Sequence, residues 1–250
     1  MFAILRRDLA AFFNSVTVWV LTAAYLFVSG LIFTLMVKTF ADNSMMSGMQ
    51  GGRAPNVMDD LVLGYQWWLG FLMIFVLPML TMRLLAEERR NGTLELLFTY
   101  PVSEWEIVLA KFFSALTIVS SMLAMSAVSL LYLNRYIALD WNLIGTGYAG
   151  LLLMGSTLIA IGIWASSLSS SQVIAACLTY GFAMMLWLMQ LLDEFLPNAK
   201  ESLGTLGIMT HLESFARGNL SSHDAVYYAA LTGLFLFLTV RVLDSRKWRM

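Results

Sequence analysis

"WNLIGTGYAGLLLMGSTLIAIGIWASSLSSSQVIAACLTYGFAMMLWLMQLL", residues 141–192, runs for 52 residues without a charged side chain. A helix that crosses a hydrocarbon core of about 30 Å needs only about 20 such residues. One helix cannot use them all, and a soluble domain cannot hide them. The polar run "SSLSSSQ", Ser166–Gln172, divides the stretch and predicts two spans, at 143–165 and 173–192.

Working outward, the same test finds uncharged runs at 16–37, 61–82 and 112–134. A sixth span is expected at 225–243, where Arg241 lies close enough to the end to reach the headgroups. The whole composition agrees: 59% of 250 residues are hydrophobic and the mean hydropathy is +0.74, whereas soluble domains are about 45–50% apolar. The predicted fold class is an all-α integral membrane protein with six transmembrane helices in a single domain over residues 1–250.

Six spans return both termini to one side of the membrane. Placing that side in the cytoplasm gives it Arg6, Arg7, Arg83, Arg89, Arg90, Lys111, Arg241, Arg246, Lys247 and Arg249, ten of the fifteen basic residues. Lys38, Arg53, Arg135, Lys200 and Arg217 fall outside, so the positive-inside rule favours this orientation. Trp67, Trp68, Trp141 and Trp248 then stand at span ends, where interfacial aromatics belong. Before the first span, Phe2, Leu5, Leu9, Phe12 and Phe13 recur on one helical face, with Arg6, Arg7 and Asp8 off it. That pattern predicts an interfacial helix over 1–14. No small-residue cleavage site follows it, so a cleaved signal peptide is not expected.

Several function classes lack support. A net charge of −1 provides no basic patch for nucleic acid. Cys177, the single cysteine, sits in an apolar run and supplies neither a disulfide nor a thiolate metal site. The chain has no G-x-x-x-x-G-K-[ST] loop and no H-E-x-x-H helix. His211 and His223 read as solvated residues of an outer loop, and the pairs Asp59–Asp60 and Asp193–Glu194 as solvated ends of spans rather than the magnesium ligands of a membrane enzyme. "MMSGM", Met45–Met49, with Met58 beyond, could offer thioethers to Cu(I). Methionine is abundant throughout, however, at 17 residues, and the surroundings read as a flexible loop, so no metal site is expected. The spans carry no titratable group near the midplane of the kind an ion-coupled transporter needs. Energy for any transport must therefore come from another chain.

"LAEERRNGTLELLFTYPVSEWEIVLAKFF", residues 85–113, is where such a chain could act. It gathers Glu87, Glu88, Arg89, Arg90, Glu95, Glu104, Glu106 and Lys111 in a protein only 12% charged. Asn91–Thr93 predicts a turn. Leu94, Leu97 and Phe98 then share one face of a short helix beside Glu95, Pro101 ends it, and Ser103 with Glu106 forms a capping box for the next helix. A two-turn helix is not stable alone, so its apolar face must be covered. Equal flanking acid and base suit a protein partner better than a lipid surface.

This segment resembles that of ABC-2 type (type-2 exporter) permeases, in which an acidic pair, "GTLE", "LL", "PVS" and a later lysine follow the second span in this order. Among them it is most similar to the small gliding-motility-type permeases. The resemblance implies a permease subunit of the bacterial inner membrane that pairs with a second permease chain, identical or similar. Two separate ATPase subunits would bind it and carry the ATP and magnesium, with no catalysis or cofactor in this chain. Residue by residue, Glu87 and Glu88 match the acidic pair. Gly92, Thr93, Leu94, Glu95 and Leu97 match the coupling helix, whose apolar face here includes Phe98, and Pro101 and Val102 match the turn after it. Ser166–Gln172 would be a second, short and uncharged inner contact. Some such permeases also carry an accessory subunit with an extracytoplasmic domain. The competing reading is a membrane anchor that transmits force to an extracytoplasmic partner without transporting anything.

Overall fold

In the computed structural model, residues 2–50, 56–90, 92, 103–195 and 206–247 are described. The chain is all helical over these residues. Helix α1 covers Phe2–Phe13, α2 Val16–Gln50, α3 Leu63–Thr81, α4 Ala86–Arg90 and α5 Glu104–Leu133. Then follow α6 Trp141–Leu168, α7 Gln172–Phe195, α8 Ile208–Ala216 and α9 Ser222–Lys247. Six of these, namely α2, α3 with its flanks, α5, α6, α7 and α9, are long and apolar enough to cross a membrane.

Local chemistry sets the helix starts. Ser103 Oγ accepts from the Glu106 N–H at 3.4 Å while Glu106 Oε2 accepts from the Ser103 N–H at 3.2 Å. This is the capping box that the sequence predicts. Asp140 caps α6 by accepting from the Asn142 N–H at 2.9 Å. A π-helical turn, Val57–Val62, leads into α3, and Asn56 caps it by accepting from the Met58 N–H at 3.0 Å.

The helices run past the spans that charge-free runs define. Helix α5 starts at Glu104, where the capping box places it, and its first two turns, charged and partly buried, precede the uncharged run that begins at 112. Helix α2 is 35 residues long, roughly 50 Å at about 1.5 Å per residue, and overshoots a core of about 30 Å. Met45–Met49 therefore belongs to a helix and not, as the sequence suggested, to a flexible loop. Small and polar residues there retain enough helix propensity to extend a helix already nucleated within the span.

Helix α6 is the central element, packed by α3, α5, α7, α8 and α9. Burying apolar surface gives little net drive between helices inside lipid, so close packing and interhelical hydrogen bonds must hold them. Glycines on α6 permit the closest approach. A Cβ added at Gly147 would strike Gln66, one at Gly155 would come within 2.6 Å of Met73 Cε, and one at Gly162 would strike Thr81. The partners advance along α3 as the glycines advance along α6, so the two helices run parallel, meeting about every two turns. Hydroxyls bridge the rest of the interior. Tyr65 donates to the Ser126 carbonyl at 3.4 Å, the Ser126 and Tyr148 hydroxyls lie 3.2 Å apart, and Thr232 of α9 lies 3.2 Å from both Ser156 and Thr157.

On the side away from α4, helix α8 is folded into the bundle. A Cβ at Gly70 would lie 2.6 Å from Leu212 Cδ2, and one at Gly150 would lie 2.6 Å from Phe215 Cβ. Gly150 is roughly 13 Å along α6 from its start at about 1.5 Å per residue. Helix α8 thus re-enters the bundle rather than lying across its end.

Candidate coupling site

Helix α3 does not continue smoothly into α4. Pro78 cannot donate to the preceding turn, and after Thr81 the chain makes a tight turn over Met82–Leu85. The new helix start would leave buried N–H groups bare, but Ser166, reaching across from α6, supplies the acceptor. Its Oγ accepts from Leu85 at 3.0 Å and Ala86 at 2.9 Å and donates to the Met82 carbonyl at 3.1 Å. One hydroxyl thereby takes up three backbone groups of another helix. Arg89 adds a second tie, donating to the Leu168 carbonyl at the end of α6 at 3.0 Å. Ser166–Gln172, a contact in its own right by resemblance, lies against the segment that follows α3.

A charged cluster fixes the same segment from the other flank. Lys111 Nζ of α5 lies 2.9 Å from Glu88 Oε1 and 3.6 Å from Asp8 Oδ2. Arg7 Nη2 lies 2.9 Å from Asp8 Oδ1 and 2.8 Å from Glu88 Oε1. Two cations and two anions leave no net charge, which is the condition under which such a group can be buried at moderate cost. Burial works against the charge on Arg7, but its bonds to Asp8 and Glu88 outweigh that and raise its pKa above the ordinary arginine value. Asp8 faces α5 and is buried beside half-buried Leu5, Leu9 and Phe12, so it lies on the face that the apolar spacing marks and not, as the sequence suggested, off it. Phe13 of that spacing is exposed.

Of the residues assigned by resemblance, Glu88 is in the cluster and Glu87 is exposed beside it. Gly92 has φ +68° and its N–H donates to the Arg89 carbonyl at 3.3 Å, so it ends α4 in the left-handed conformation that glycine adopts most readily. Thr93, Leu94, Glu95, Leu97, Phe98 and Pro101 lie outside the described residues. Sequence reading put Arg7 and Asp8 on an interfacial helix and Ser166 in a short inner contact, and missed that all three anchor α4. Lys111 did carry a signal, as one ammonium within "IVLAKFFSAL" needs a buried counter-charge.

The histidines also differ from expectation. His211 is buried on α8, its Nδ1 2.6 Å from Asp224 Oδ1, with its ring stacked 3.9 Å from that of Tyr227. His223 is exposed and lies 3.6 Å from the same carboxylate oxygen. His211 reads as solvated in sequence because α8 carries too few residues to register as an inserted helix. Tyr227 and Tyr228 donate to the Leu206 and Ile208 carbonyls at 2.6 and 2.7 Å and hold the start of α8 against α9.

These features define a multi-pass helical membrane protein whose second span ends in a rigidly anchored, charged segment. The family model described as "ABC-2 family transporter protein" matches residues 2–217. The chain belongs to this family and is a membrane permease component of an ABC transporter. A search of curated proteins found no match.

Proposed function

We propose that the chain is the permease subunit of an ATP-driven exporter, with both termini in the cytoplasm of a bacterial cell, pairing with a second permease chain and engaging two ATPase subunits through residues 86–101. The observation that carries this is the anchoring of α4. Ser166 and Arg89 tie it to α6, and Glu88 ties it to α1 and α5. A displacement applied just beyond Gly92 reaches three other helices through short bonds. Leu94, Leu97 and Phe98 would enter a groove on the ATPase, and ATP and magnesium would stay on that partner. The connector suits the small permeases of the gliding-motility type.

Leu97→Asp tests this, since it puts a charge where about 1.5–3 kcal/mol of apolar burial was available. Membrane insertion stays normal while ATPase association falls more than about tenfold, the equivalent of about 1.4 kcal/mol. Glu104→Gln, in the first turn of α5, costs only about 0.3–1 kcal/mol of helix stability and leaves association intact. Equal behaviour of the two variants would remove the coupling assignment.

The length of α2 favours a second reading, in which the permease drives an accessory subunit across the membrane instead of moving cargo. Its far end, including exposed Met45 and Met46, offers a stalk to such a partner. ATP-dependent movement of an accessory subunit without export of any lipid or amphiphile from proteoliposomes would select that reading.

A further inference from the structure

The elbow between α1 and α2 encloses a cavity of about 390 Å³ that the coupling contacts leave open. Its walls change character from one end to the other. Arg7 and Asp8 of α1, Arg83 of the turn and Glu87 of α4 line one end, while Phe12, Val18, Leu21, Met79 and Leu80 line the other. The elbow itself stands at headgroup depth. Trp19, 54% exposed, donates its indole N–H to the Phe13 carbonyl at 2.8 Å, and a tryptophan of this kind settles at the membrane–water boundary. The cavity thus runs from water to hydrocarbon as a lipid does.

Arg83 and Glu87 give the site its selectivity. The Glu87 N–H donates to the Arg83 carbonyl at 3.3 Å, so the two residues are one helical turn apart and flank the same opening. Among the described residues neither side chain makes an ion pair or a hydrogen bond. The nearby charges of Arg7 and Asp8 are already matched within the cluster. One open cation and one open anion therefore border an apolar pocket at the membrane surface.

We propose that this cavity binds a phospholipid with a phosphate and a primary ammonium, the phosphatidylethanolamine class, with its phosphate at Arg83 and its ammonium at Glu87. Guanidinium is suited to phosphate, and a primary ammonium carries three N–H donors for the carboxylate. A choline headgroup has no N–H to donate, and a glycerol headgroup has no cation for Glu87. The first part of an acyl chain lies along Val18, Leu21, Met79 and Leu80. Bound in this way the lipid bridges α1, the start of α2 and the turn before α4.

Full-length permease in mixed bilayers of equal phosphatidylethanolamine, phosphatidylcholine and phosphatidylglycerol, released for native mass spectrometry, provides the test. The wild-type chain retains the ethanolamine lipid over each of the others by at least about tenfold, a difference of about 1.4 kcal/mol. Arg83→Gln and Glu87→Gln each lose that preference, and Glu87→Lys, with two cations at the opening, exchanges it for phosphatidylglycerol. Arg90→Gln, exposed and outside the cavity, keeps the wild-type preference, and size-exclusion profiles confirm that all four variants fold. Equal retention of the three lipids by the wild type, or wild-type selectivity in Arg83→Gln, overturns the site. Displacement of bound lipid by soluble glycerophosphoethanolamine at equal concentration overturns the membrane source. The measurement uses no ATPase, so its failure leaves the coupling proposal untouched.

Discussion

Lys111 Nζ is 2.9 Å from Glu88 Oε1, although the lysine is only 3% exposed. An ammonium so placed has no water to fall back on. Lys111→Met leaves the two acids to share Arg7 alone, with one buried negative charge uncompensated, at about 3–5 kcal/mol for a broken buried pair. Adding Glu88→Gln recovers part of that loss, with a coupling of about 0.5–3 kcal/mol. A thermal-unfolding cycle in detergent measures it, and strictly additive losses would show that the pair carries no interaction of its own.

Ser166→Ala deprives the Leu85 and Ala86 N–H groups of their acceptor at a buried helix start, which costs about 1–3 kcal/mol. Because α4 is short, the loss appears as local opening. Trypsin in inverted vesicles cuts at Arg83, Arg89 and Arg90 at least about fivefold faster, about 1 kcal/mol of opening, while the spans stay resistant. An unchanged cleavage rate would mean that α4 is held in place without this hydroxyl.

Gly162→Val forces a side chain into the contact with Thr81, and overpacking of this sort costs about 1–3 kcal/mol. Trimming the opposing side chain in Gly162→Val/Thr81→Ala restores at least half of the lost melting temperature. Without rescue, the damage would lie in the glycine backbone and not in the crossing.

Orientation can be checked with single cysteines in a background where Cys177 is replaced. Gly48 and Asn219 react with an impermeant reagent on intact cells, and Asn91 reacts only after permeabilisation. Labelling of Asn91 in intact cells would reverse the orientation drawn from the basic residues.

The spans were legible because an apolar run of about 20 residues with no charge in it matches the thickness of a bilayer core and little else. The Ser103 box was legible because its two partners are three residues apart. The anchoring of α4 was not. Asp8 and Lys111 are about a hundred positions apart, and nothing in their local spacing pairs the one acid on the packed side of α1 with a lysine of α5. Ser166 read as part of a polar break because serine in "SSLSSSQ" is equally suited to a loop; only the arrival of Met82–Ala86 beside it makes it a cap. Helix α8 was hidden for a different reason, since nine residues give too little periodicity to separate an inserted helix from an amphipathic loop.

The parallel seam between α3 and α6 has a practical use as a coordinate frame. Their contacts extend from Gln66, which donates to the Ile144 carbonyl at 3.3 Å, to Thr81 against Gly162, with backbone spacing too tight to slide without a clash. Spin labels on exposed positions of these two helices, such as Phe75 and Ala149, should report one narrow distance distribution in every nucleotide state. Labels on α2 or α7, each only 17% buried over its span, are then the ones to read against it, so that any motion in the turnover cycle is assigned to a moving helix rather than to a shifting origin.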